Sequence, residues 1–136
     1  MIDPALPSAP LTRTLAVADD DELHAELVST WLEHQGFRVL RFGSGDELVS
    51  WASTSGSAVD AVVLDVDMPG RDGFQSCRDL RALPAYARIP AVFVSSASPD
   101  GVPEEMSAGG AGFIRKDGEM LERLSGWLRE NVVSAA

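Results

Sequence analysis

The chain has 136 residues, 45% hydrophobic and 24% charged, with 21 acids against 11 bases for a formal net charge of −10. That length suits one domain able to bury about two-thirds of its unfolded surface, and the charge argues against direct binding of nucleic acid, because phosphate contacts need clustered cations. Cys77 is the only cysteine, which excludes an intramolecular disulfide, and no apolar run approaches the ~18 residues of a membrane span, so a cytoplasmic protein without a membrane partner is expected.

Met1 to Pro10 (MIDPALPSAP) carries three prolines and no periodicity, which predicts a flexible lead-in. The domain proper then spans 11–133, with a tail at 134–136. Thr14 to Ala18 (TLAVA) reads as a buried strand running into Asp19, Asp20 and Asp21. Leu23, Leu27, Trp31 and Leu32 recur at helical spacing, and Gly36 stops that helix. Phe37 to Phe42 (FRVLRF) interleaves arginine with apolar residues and suits an edge strand, and Asp46 to Ala52 begins a second helix. Ala61 to Leu64 is a third strand, continuous in apolar residues and ended by Asp65. Asp72 is placed to cap a helix whose Phe74, Cys77, Leu80 and Leu83 share a face. Ala91 to Val94 is a fourth strand ended by Ser95 and Ser96. Pro99, Gly101 and Pro103 leave room for only a short, mobile helix within Ser98 to Gly110. Gly112 to Arg115 is the fifth strand, and Met120, Leu121, Leu124, Trp127 and Leu128 form the stripe of a final helix.

Five strand–helix repeats predict an α/β fold, a doubly wound parallel sheet with helices on both faces. Continuous apolar strands fit a sheet covered on both sides. Sheets of this kind gather functional groups beyond the carboxyl ends of their strands. Here strand one ends at Asp19 and Asp20, strand three at Asp65, strand four at Ser95 and strand five at Lys116. Carboxylates about 4 Å apart repel by roughly 4 kcal/mol at an effective dielectric of about 20, so three in one pocket need a counter-charge. A hard divalent cation with oxygen ligands supplies it, and Mg2+ is the expected ion. Such a cation leaves one Asp65 oxygen free to attack phosphorus, with an ammonium to stabilise the transferring oxygens and the Ser95 hydroxyl to donate to them. Ten of the eleven bases are arginine, and Lys116 is the sole lysine. A compact ammonium fits that strand end where a forked guanidinium does not.

The segments VADDD, VVLDVDMPGRDGF, VFVSSA and GAGFIRK, in this order, resemble the receiver domains of bacterial two-component response regulators over roughly Leu11 to Val133. The resemblance implies a flavodoxin-like sheet of order 2-1-3-4-5 and phosphoryl transfer from a histidine kinase or histidine phosphotransfer protein to Asp65. It makes Asp19 and Asp20 the acidic pair of the metal site and the backbone carbonyl of Asp67 a further ligand. Ser95 becomes the hydroxyl that follows the phosphoryl group, and Phe113 the aromatic that turns inward with it. The output is then a changed surface read by an unidentified downstream protein, from a monomer or weak dimer; the chain catalyses only its own phosphorylation and dephosphorylation. Asp21 reads as a helix-start acid, Ser96 as loop, Cys77 as apolar filler, and His24 and His34 as solvent-facing.

Two features depart from the family. Asp117 follows Lys116 where the family has proline with a cis bond; a non-proline cis bond costs about 2.5–4 kcal/mol, so a trans bond is expected, with Lys116 or the following loop open to re-aiming. In this family the fourth helix forms an output face with the fifth strand and the final helix, so its weakness here argues against dimerisation through that face. These departures motivate one alternative, a degenerate receiver that binds proteins regardless of phosphorylation. A second, a phosphatase of the haloacid-dehalogenase type, shares the DVD motif (Asp65–Asp67) but keeps it on the first strand and needs a longer chain.

Overall fold

The computed structural model describes residues 12–55, 58–97 and 102–133. The expected lead-in at 1–10, the tail at 134–136 and positions 98–101 of the proline-glycine stretch lie outside the described residues. Five strands, β1 (Thr14–Ala18), β2 (Arg38–Phe42), β3 (Ala61–Asp65), β4 (Ala91–Ser95) and β5 (Gly112–Arg115), form one parallel sheet in the order β2-β1-β3-β4-β5. The fold is therefore the expected flavodoxin-like one. Helices α1 (Glu22–His34), α2 (Gly45–Thr54), α3 (Gly73–Arg81), α4 (Glu104–Ala108) and α5 (Met120–Leu128) alternate with the strands. A 3-10 turn at Pro84–Tyr86 follows α3, and a π-helical turn at Arg129–Val133 extends α5.

Strand side chains alternate between two cores because successive residues point to opposite faces. Leu15, Val17, Val63, Val92 and Val94 pack with Val28 and Leu32 of α1 and Met120, Leu124 and Leu128 of α5. Ala16, Ala18, Val62, Leu64 and Phe93 pack on the other face with Leu48 of α2, Cys77 and Leu80 of α3 and Met106 of α4. Each fully buried aliphatic or aromatic side chain contributes roughly 1.5–3 kcal/mol. The central strands β3 and β4 are buried along their whole length, whereas β2 and β5 are partly exposed as edges. Asp65 and Ser95 are thus the last residues of the two best-packed strands, which makes their positions rigid.

Helix starts follow the capping chemistry of their sequences. Asp21 Oδ1 accepts from His24 N at 3.1 Å, Ser44 Oγ from Glu47 N at 3.1 Å, and Asp72 Oδ1 from Gln75 N at 2.8 Å. Gly36, at φ +98°, ends α1 in the left-handed region, and Phe37 N then donates to Leu32 O at 3.1 Å. The expected stripe of α1 is corrected: Leu23 is 80% and Leu27 53% exposed, and the sheet side carries Ala25, Val28, Ser29 and Leu32. Turning that i, i+3, i+4, i+7 set inward rotates the two leucines outward. Trp31 stays partly buried and its Nε1 donates to Ser125 Oγ of α5 at 2.7 Å. α4 is short, as expected, and an Arg78–Glu105 ion pair ties it to α3. Among the described residues no helix is long and apolar enough to cross a membrane.

Candidate functional site

The carboxyl ends of β1, β3, β4 and β5 open on one edge of the sheet. Asp19 directly follows β1, and its backbone N donates to Phe42 O at 3.0 Å, which carries the β1–β2 pairing one residue further. It is 5% exposed. Its Oδ1 accepts from Asp21 N at 2.9 Å, and its Oδ2 lies 2.5 Å from His24 Nδ1. Asp20, one residue on, is exposed.

Asp65 ends β3 and is 4% exposed. The chain turns tightly around it: Asp67 N donates to Asp65 Oδ1 at 3.0 Å, while Val66 N donates to Val94 O at 3.0 Å. The first turn of α3 comes down onto its backbone. A Cβ on Gly73 would stand 2.6 Å from Asp65 O, so only glycine allows that approach. Lys116 follows β5; its backbone N donates to Ser95 O at 2.8 Å, and its Nζ stands 3.1 Å from Asp65 Oδ2. Ser95 is fully buried; its Oγ donates to Asp67 Oδ2 at 3.1 Å and accepts from Ala97 N at 3.0 Å.

One side-chain oxygen from each of Asp19, Asp20 and Asp65 lies within 4.8 Å of the others. At that spacing two carboxylates repel by about 3–4 kcal/mol at an effective dielectric of about 20. Burial lifts the Asp65 carboxyl above its ordinary value, and the Asp19 carboxylate lifts it further. The backbone N–H of Asp67 and the ammonium of Lys116 act in the opposite sense. Three hard oxygen donors, from two buried acids and one exposed, thus crowd together with one ammonium beside them. The donor set fits a hard divalent cation and offers no sulfur or nitrogen ligand within the trio.

The residues singled out from the sequence, Asp19, Asp20, Asp65, Asp67, Ser95 and Lys116, therefore meet at one edge. Phe113 lies on β5 as the register neighbour of Phe93, half-buried against the α2–α3–α4 side of the sheet. Cys77 is buried, as expected of apolar filler, and His34 is exposed. No described peptide bond is cis, so Asp117 follows Lys116 through a trans bond, and Lys116 still reaches Asp65. Asp117 itself shapes the turn: its Oδ1 accepts from Glu119 N at 2.9 Å and its Oδ2 pairs with Arg123 Nη1 at 3.0 Å. The residue in place of the proline thus anchors the start of α5 by hydrogen bonds instead of by ring geometry.

His24 is the residue that sequence reasoning placed wrongly. It does not face solvent freely; its ring meets Asp19. A signal existed. Asp21 is the N-cap of α1, so His24 is the third helical residue, the position from which a side chain reaches back toward the residues preceding the helix.

The family model of the response regulator receiver domain matches residues 15–125. The chain is similar to the gliding motility regulatory protein of Myxococcus xanthus, 32% identical over 111 residues, which are 81% of this chain and 14% of that protein. It is similar also to Protein RcaC of Microchaete diplosiphon, 32% identical over 93 residues, 68% of this chain and 13% of that protein. The chain therefore spans only a small part of these relatives' length. Among solved structures, chemotaxis protein CheY4 of Vibrio cholerae superposes with a TM-score of 0.79 at 24% identity, covering 89% of this chain and 99% of that one. The receiver domain of sensor histidine kinase PA1611 from Pseudomonas aeruginosa, with a magnesium ion coordinated in its active site cleft, gives 0.73 at 21% identity, covering 87% and 96%. At such identities the structural likeness speaks for the fold alone.

Proposed function

The chain belongs to the response regulator receiver domain family, and from that premise we propose that it accepts a phosphoryl group on Asp65 in a Mg2+-dependent reaction. The donor is a phosphohistidine of a histidine kinase or histidine phosphotransfer protein. One observation carries this reading: oxygens of Asp19, Asp20 and Asp65 converge within 4.8 Å while Lys116 Nζ stands 3.1 Å from Asp65 Oδ2.

Asp19, Asp20 and Asp65, with the Asp67 carbonyl, are the residues that hold the cation. When bound, it offsets the mutual repulsion of the carboxylates and the charge on the transferring phosphoryl oxygens. An Asp65 oxygen forms the new O–P bond as the donor's P–N bond breaks, and the P–N electron pair leaves with the imidazole nitrogen. Lys116 supplies a fixed positive charge at the oxygens of the arriving group. Ser95 re-aims its single proton from Asp67 Oδ2 to a phosphoryl oxygen, and Phe113 follows from its half-buried place on β5. The resulting surface change is read by a downstream protein. A receiver that ignores phosphorylation has two grounds, the missing proline and the weak fourth helix, and the reach of Lys116 with Asp117 in place weighs against the first.

The test is incubation with a small acyl or amido phosphate donor, with Mg2+ and with a chelator in its place. A labile phosphoryl adduct is expected only with Mg2+; no adduct under either condition would reject the proposal.

Asp67 adds a carboxylate beside the acceptor and holds the Ser95 proton. Asp67→Asn keeps an acceptor for Ser95 but removes the charge. Because Asp67 is exposed, the expected change in adduct lifetime or in Mg2+ affinity is modest, about two- to fivefold, the scale of an exposed charge interaction. Decay rates and Mg2+ titrations check this, and wild-type values for both exclude a role for the charge.

A further inference from the structure

We infer that His24 is a positioning residue for the cation site: it holds the Asp19 carboxylate in the orientation from which that carboxylate binds Mg2+. The inference rests on the proposed function, since it concerns the same cation. It starts from the asymmetry between the two buried acids. Asp65 has Lys116 as its partner, from the β5 end; Asp19 has no lysine or arginine partner among the described residues and meets His24 of α1 instead.

Both Asp19 oxygens are engaged. Asp21 N donates to Oδ1 at 2.9 Å, and His24 Nδ1 sits 2.5 Å from Oδ2. A carboxylate only accepts, so for Asp19 to serve as a metal ligand in this contact Nδ1 is the donor. A backbone donor on one oxygen and a ring donor on the other fix the rotation of the carboxylate plane. Each oxygen has two lone pairs, so the one bonded to His24 still offers the other to a metal. The donor thereby orients the ligand without occupying it. Hydrogen bonds to metal-binding carboxylates act in this manner, and their loss costs affinity.

His24 is half-buried and lines a cleft together with Leu27, Lys116, Asp117, Met120 and Leu121. The backbone of His24 is fixed in the first turn of α1 by the Asp21 cap, which sets where the imidazole starts from.

The experiment is calorimetric Mg2+ titration of the full chain as wild type, His24→Ala, His24→Asn and Asp20→Asn, with far-UV circular dichroism to establish folding. Asn places its amide N–H near the position of Nδ1, so it restores the donor without the rest of the ring. His24→Ala is expected to weaken Mg2+ binding about tenfold, the low end of the cost of losing such an outer hydrogen bond, and His24→Asn to recover most of that loss. The Mg2+ concentration for half-maximal phosphorylation should rise in parallel, with the rate at saturating Mg2+ unchanged. Binding in His24→Ala equal to or tighter than wild type overturns the inference, tighter binding meaning that the ring competes with the cation. In that case wild type still binds and Asp20→Asn still loses affinity, so the proposed function stands. Failure of wild type to bind Mg2+ overturns both.

Discussion

Asp65→Asn is expected to abolish the labile phosphoryl adduct while making the metal-free protein more stable. The first effect follows from chemistry. An amide oxygen lacks the charge and nucleophilicity of a carboxylate, and no other acid in the site combines burial at a strand end with a lysine at 3.1 Å. The second follows from the electrostatics. Burial and the Asp19 carboxylate hold the folded-state pKa of Asp65 above its reference of 3.8. The folded chain then binds this proton more tightly than the unfolded chain does. Stability contributed by Asp65 is therefore full below 3.8, falls as pH rises to the folded-state value, and stays low above it. Asparagine removes that loss and keeps an oxygen to accept from Asp67 N. At neutral pH with chelator present, the variant should melt higher, with each 1 kcal/mol raising the midpoint by roughly 3–6 °C. The difference should shrink toward pH 3.8. Mass spectrometry for the adduct and melting curves across pH check the two halves separately. An adduct in the variant removes Asp65 from its role, and a lower midpoint at neutral pH means that the Lys116 pair outweighs the cost of burial.

Lys116→Ala is expected to slow phosphoryl transfer from a small donor by about 10²–10³-fold, the usual cost of losing one fixed charge or donor at a transferring group. Mg2+ affinity should not fall with it, since the lysine pairs with Asp65 as a cation and repels another. That split distinguishes a role in transfer from a general collapse of the site. Lys116→Arg should remain impaired, because a planar, forked guanidinium cannot replace a compact ammonium at the Asp65 oxygen. Single-turnover rates at saturating Mg2+ measure the effect, and a wild-type rate in Lys116→Ala rules out any part for the ammonium in transfer.

Much of the site was legible because the fold rule and the residue pattern agree. A parallel sheet brings the carboxyl ends of its strands to one edge, so acids and a lone lysine at those ends are neighbours in space whatever their separation in sequence. That logic located Asp19, Asp65, Ser95 and Lys116 together, and the solitary lysine among ten arginines marked its own position. The same reading failed on α1, for a physical reason. Leu23, Leu27, Trp31 and Leu32 have helical spacing, but hydrophobicity alone does not say which side of a helix meets the sheet. The packed side carries Ala25 and Ser29, and two leucines are left at the surface. The misplacement of His24 has a similar origin. Its partner is five residues back and on the far side of a cap, a contact created only when α1 starts at Glu22. Asp117 is a third case. Its departure from the family raised doubt about Lys116, whereas the hydrogen bonds that anchor the turn depend on Glu119 and Arg123 being brought over it.

By itself, the order of apolar runs, caps and breakers determined a five-stranded parallel sheet and the set of side chains at its carboxyl edge, because periodicity and strand ends are local properties of the chain. Only the tertiary structure decided how those side chains divide their partners: Lys116 to Asp65, His24 to Asp19, Ser95 to Asp67. Such pairings turn on distances of a few tenths of an ångström between groups that are 5 to 51 residues apart in sequence, and these are set by how closely α1 and α3 pack on the sheet and by the register of β5 within it.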